Sequence, residues 1–158
     1  MLSFSRLGDF NLIVKILKYI LGFIFLYAGA SKIFEPMLFK AVIQNYFSIP
    51  DLLALIIAIV VPWVQILAAL SLFFNWNVLY SSGLLFAMSI FFFVLMAINY
   101  GQVLPFGCGC FGFRGEEVVG IYHIARDFSI AVLAGIIFYD SYIKIQRQKR
   151  KKSFSIEY

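Results

Sequence analysis

Cys108 and Cys110 are the only thiols in the chain, and they stand one glycine apart in the stretch PFGCGCFGFRG. Thiols this close can do three kinds of chemistry. As a redox pair they form and open a disulfide, passing it to another protein by thiolate attack through a mixed disulfide. As soft ligands they suit Cu(I) or Zn(II), with His123, the single histidine, as a weak third donor. As an inert bridge they would only staple a loop. An extended two-residue step spans up to about 7 Å, whereas a disulfide wants Cα atoms about 4.4–6.8 Å apart. A Cys108–Cys110 bond is therefore attainable but bent, with Gly109 removing the steric objection. Strained, exposed disulfides are the easily exchanged ones. So small a ring stabilises little, which counts against the staple.

A second group of chemically capable residues follows in IYHIARDFSI. The apolar run 128–139 is too short to cross a bilayer alone, so Arg126 and Asp127 belong at or just below a membrane boundary, where charges usually face the interior or a partner. On a helix His123 and Asp127 share one face and Tyr122 and Arg126 the next. Arg126 near the cysteines would stabilise a thiolate and lower its pKa, or donate to a quinone carbonyl, with Tyr122 and Lys32 as further quinone contacts. The plainer alternative is an interfacial ion pair that ends the helix.

The elements that must position these residues follow from composition. The 158 residues are 63% hydrophobic and 13% charged, against about a quarter charged in soluble domains. An integral membrane protein is expected. The net charge of +5 does not point to nucleic acid, because Lys144, Arg147, Lys149, Arg150, Lys151 and Lys152 form a run flanking the membrane. Four apolar stretches can each cross as a helix, at about 12–34, 51–74, 78–99 and 121–143, leaving a basic tail at 144–158. The fold class is thus all-α, a polytopic four-transmembrane-helix bundle forming one domain over 1–158. The connector Asn75-Trp76-Asn77 makes the second and third spans antiparallel neighbours, with Trp76 as an interfacial anchor.

Arg6, Lys15, Lys18 and the six tail cations outnumber Lys32, Lys40, Arg114 and Arg126 on the opposite connectors, which predicts both termini inside and the cysteine loop outside. Disulfides persist there. A competing reading takes Ala28-Gly29-Ala30 as a signal-peptide cleavage site, but the apolar run continues into Ile33-Phe34, and Lys18 and Lys32 can snorkel at the span ends. The connector FEPMLFKAVIQNYFSIP repeats apolar residues every four positions, Leu38, Val42 and Tyr46 beside Phe39, Ile43 and Phe47, with Pro36 in the first turn. This predicts a short outer interfacial helix ending near Ser48-Ile49-Pro50, acting as a lid on the bundle or a roof for the cysteine loop. Gly22 and Gly29 put two small residues on one helix face for close packing. Pro62 and Gln65 mark a kink with a polar group inside, Gln65 satisfying the carbonyl that Pro62 frees.

GASKIFEP after the first helix, Pro-Trp-x-Gln in the second, GCGCFG after the third and His-x-x-Arg-Asp opening the fourth resemble the methylamine-utilisation MauE family of the wider DoxX-like group, over roughly residues 12–140. The resemblance implies a redox-associated four-helix protein of a bacterial cytoplasmic membrane. In methylamine operons the family is linked to maturation and disulfide formation of a periplasmic dehydrogenase subunit; relatives accompany thioredoxin-like proteins, and DoxX is associated with a quinone-reducing complex. Cys108, Cys110, Arg126, Gly29 and Lys32 match by position, while Gln65 stands where many relatives carry an acidic residue. The expected function is thiol–disulfide exchange with a thioredoxin-like or periplasmic partner, with quinone as the cofactor the resemblance suggests. The alternatives are a non-catalytic anchor or assembly subunit of a respiratory or dehydrogenase complex, and a metal-handling protein.

Overall fold

The computed structural model of the chain describes residues 3–47, 49–104 and 117–156. Five helices and one small hairpin follow in order: α1 Ser3–Phe34, α2 Pro36–Tyr46, α3 Asp51–Phe73, α4 Val78–Ile98, β1 Val103–Leu104, β2 Glu117–Val118 and α5 Ile121–Ile156. Among the described residues, four helices are long and apolar enough to cross a membrane. They form a closed ring in which α1 packs on α3 and α5, and α4 on α5 and α3. Every neighbouring pair is antiparallel, the up-and-down arrangement that short connections produce.

The ring has a recognisable seam. On α1, Val14, Lys18, Leu21, Phe25, Ala28 and Lys32 are buried, alternating steps of four and three residues as in a coiled coil. Between them Phe23 and Tyr27 are exposed, as are Ile59, Trp63 and Leu67 on α3. An apolar outer surface this continuous would be a liability in water; in a bilayer it faces the lipid. The core at mid-height is Leu21, Phe25, Ala69, Leu72, Leu85, Ala134 and Ile137.

Close approach of α1 to α3 is set where the small residues were expected to act. A Cβ at Gly29 would lie 2.7 Å from Ile66 Cγ1 and 3.2 Å from the Pro62 carbonyl oxygen, and one at Gly22 would lie 2.9 Å from the Phe73 ring. Only glycine lets the backbones come so near. The α3–α4 turn is tight, with Asn75 and Asn77 at φ 55° and 48°, a conformation that asparagine tolerates better than most residues. Ser71 donates its hydroxyl to the Trp76 carbonyl across this turn.

The expected short helix exists as α2, with Pro36 in its first turn and Phe39, Val42 and Ile43 buried. It packs chiefly on α3, through Ala54 and Ala58. Lys40 pairs with Asp51, and Gln44 Nε2 donates to the same carboxylate at 3.2 Å. The helical tail is longer than a 143-residue boundary suggests, since α5 continues to Ile156; Lys, Arg and Gln are good helix formers.

Candidate functional site

Cys108 and Cys110 fall within 105–116 and so lie outside the described residues. Both ends of their segment, however, are fixed. Val103 pairs with Val118 and Leu104 with Glu117 in antiparallel register, and the ladder is extended by Val119 N–H donating to the Gln102 carbonyl at 3.0 Å and Gly101 N–H to the Val119 carbonyl at 2.9 Å. Leu104 and Val119 are buried with Met96, and Tyr46, Phe92, Leu95 and Ile124 pack around them. The segment bearing the cysteines therefore leaves and re-enters the bundle at one place, the end where α4 stops and α5 starts. Tyr46 brings α2 to the same place.

Immediately inside that end is a buried polar layer. Lys32 from α1, Gln65 from α3, Ser89 from α4 and Asp127 from α5 are 0%, 1%, 3% and 4% exposed, and all four line one cavity of about 30 Å³. That is room for a single water molecule. Phe25, Phe92 and Ile130 complete its walls. Each helix contributes one polar residue because its seam position comes to the same depth. On the side toward the termini the layer adjoins the apolar core through Phe25 and Ile130.

Lys32 does not snorkel out of its span as expected. Its Nζ donates to the Ala28 carbonyl at 2.9 Å and sits 5.5 Å and 5.7 Å from the Phe39 and Phe92 ring centroids. Lys32 lies in the last turn of α1, where burying an ammonium is still costly, and desolvated cation–π contacts of about 2 kcal/mol offset part of that. The burial was foreshadowed by phase, since Lys32 continues the seam of Leu21, Phe25 and Ala28. Ser89, whose hydroxyl returns to the Leu85 carbonyl at 2.8 Å, carried no such signal and was missed.

Gln65 points into the cavity, and its buried Oε1 has no hydrogen-bond partner among the described residues. No bond to the carbonyl freed by Pro62 is present among those residues, so the expected repair is not what holds Gln65. Arg126 Nε donates to Asp127 Oδ1 at 2.9 Å, with the arginine side chain 21% and the aspartate 5% exposed. The pair thus bridges the buried layer and the hairpin end. The helical rise puts Arg126 only about 7.5 Å below the start of α5, and side chains on a helix tilt toward its N-terminus, which here is the cysteine end.

The other expected contacts separate. Tyr122 is 71% exposed, edge-on to His123, and is not brought together with buried Lys32. His123 accepts from the Gly120 amide at Nδ1 (3.4 Å), and its Nε2 lies 3.6 Å from the Glu117 carboxylate. Both ring nitrogens therefore tie α5 to the hairpin. Among the described residues there is no group of three or more metal-ligating side chains. The cavity between Lys32 and Asp127 is far smaller than the roughly 300 Å³ of small-molecule sites, so it holds no ring the size of a quinone in this conformation.

The family model of the methylamine utilisation protein MauE matches residues 10–140. The chain belongs to the MauE family. No curated protein and no solved structure matches it. The MauE match takes in all four membrane helices, α2, the hairpin and the cysteine segment, and leaves out the basic extension of α5. As a MauE-family protein with four apolar spanning helices, the chain is a multi-pass membrane protein whose outward faces contact the bilayer.

Proposed function

We propose that this MauE-family protein is a membrane-embedded thiol–disulfide exchange protein, with Cys108 and Cys110 as the exchanging pair and a thioredoxin-like or periplasmic protein as its partner. The observation that carries the reading is that the cysteine segment's two ends, paired as β1 and β2, lie at the end of the bundle where Arg126 engages Asp127 of the buried layer that also holds Lys32. From Leu104 to Cys108 an extended chain spans up to about 14 Å, so either cysteine can come within reach of the Arg126 guanidinium. A neighbouring cation holds a thiol as thiolate.

Exchange then runs in two balanced steps. The thiolate of one protein attacks a sulfur of the other's disulfide, forming the mixed disulfide and releasing a thiolate. The second cysteine of the pair, or of the partner, attacks in turn and leaves one protein oxidised and the other reduced. Basic residues near both termini support an orientation with the termini in the cytoplasm and the cysteines on the oxidising face.

The test is covalent trapping. Each single variant, Cys108→Ser and Cys110→Ser, is quenched in acid, alkylated and compared with the wild type on non-reducing gels. One variant is expected to accumulate a partner-sized, reductant-sensitive adduct, because the cysteine that resolves it is gone. If neither does, and the double variant still supports whatever the deletion loses, the pair is a staple and the chain serves as an assembly or anchoring subunit.

A further inference from the structure

At the opposite end of the bundle, α1, the α3–α4 turn and α5 enclose a second and much larger cavity, of about 560 Å³. Lys15, Lys18, Asn75, Asn77, Asp140 and Lys144 are among the polar residues that line it. Three ammonium groups share it with one carboxylate among the described residues, and Asp140 is already engaged by Lys144 at 2.7 Å. Lys18 is only 7% exposed and donates to Asn75 Oδ1. Lys15 and Lys144 are exposed and partly screened, and an anion joining the three ammonium groups would relieve the repulsion that remains.

Two further features point the same way. The first turn of α4, Val78 to Tyr80, lines the cavity, and its N-cap Asn77 makes no side-chain cap bond among the described residues. The amide N–H groups of a helix's first turn carry partial positive charge and lack partners within the helix. Tyr80, Ser141 and Gln148 also line it, the rest of the wall is apolar, including Val14, Ile137 and Ile145, and the cavity sits where four spanning helices reach the membrane surface. The volume falls in the range of small-molecule sites, about 300–1,000 Å³.

We infer that this cavity binds a phosphate-bearing anion at the membrane surface, its lysines and the α4 N-terminus holding the phosphate and its apolar wall accepting the adjoining chain. The chemistry is shared by the headgroup of an anionic phospholipid and by soluble phosphate. It is independent of the cysteine reading, since it uses none of the same residues.

The experiment uses the full chain purified in a mild neutral detergent, with phosphatidylglycerol, phosphatidylcholine and inorganic phosphate as probes, read by native mass spectrometry and by thermal shift. Retention of phosphatidylglycerol at least about tenfold above phosphatidylcholine, falling with added salt, is expected. Lys15→Gln with Lys144→Gln changes two exposed side chains and leaves buried Lys18 in place; it should weaken binding about thirtyfold. Lys149→Gln with Arg150→Gln, off the cavity, should leave binding unchanged. Thermal stabilisation by inorganic phosphate that the lysine pair abolishes would also support the site and assign it to a soluble anion. Equal retention of both lipids with no phosphate effect, or equal losses in the two double variants, overturns the inference.

Discussion

If Arg126 tunes the cysteines, then Arg126→Gln and Asp127→Asn should move thiol titration in opposite directions. Arg126 Nε lies 2.9 Å from Asp127 Oδ1, and the aspartate is the deeper of the two. Removing the guanidinium takes a positive charge from beside the loop; removing the carboxylate leaves that charge uncompensated. A thiolate about 6 Å from the guanidinium would feel about 0.7 kcal/mol at the dielectric of water and about 2.8 kcal/mol at the effective value near protein surfaces. At 1.36 kcal/mol per pH unit, and with Asp127 cancelling part of the field, Arg126→Gln should raise the thiol pKa by about one pH unit. Asp127→Asn should lower it by about half a pH unit. Both amides can keep a hydrogen bond across the pair, which preserves the fold better than alanine would, since removing one partner of a buried pair costs about 3–5 kcal/mol. The assay is the rate of alkylation of reduced protein between about pH 5 and 10, in backgrounds retaining Cys108 or Cys110 alone. Shifts of the same sign in the two variants, or no shift in either background, would show that the pair only anchors α5.

Gly29→Ala should destabilise the bundle by about 1–3 kcal/mol through overpacking, because its Cβ meets Ile66 and the Pro62 carbonyl; a detergent melt no lower than that of the wild type would show that α1 and α3 can separate freely. Gln65→Met should be neutral or stabilising by about 1–2 kcal/mol, since it removes a buried acceptor without a partner among the described residues. A clear loss of stability would instead place an ordered water on Oε1 in the cavity. For sidedness, a membrane-impermeant thiol reagent applied to mildly reduced spheroplasts should label the cysteines, and labelling only after permeabilisation would invert the orientation.

Much of the architecture was legible in the residues themselves. Length and unbroken hydropathy define the four spans, because a bilayer sets the number of helical residues needed. The four-residue repeat and Pro36 define α2, and a connector as short as Asn75-Trp76-Asn77 leaves no choice but antiparallel neighbours. The Cys108–Cys110 spacing and the Arg126–Asp127 step singled out chemistry without any contact being known. What composition and period do not contain is the depth and rotation of one helix against another. Those are decided by packing, as where Gly29 lets α1 settle on Pro62 and Ile66. That contact, and the matching seams of α4 and α5, bring Lys32, Gln65, Ser89 and Asp127 to one level. Read alone, Lys32 looked like a snorkelling end residue and Ser89 like an ordinary helix serine. The hairpin was invisible for another reason: strands of two residues are too short to show an alternating pattern, and their pairing exists only because α4 and α5 end side by side with Leu104 and Val119 buried between them.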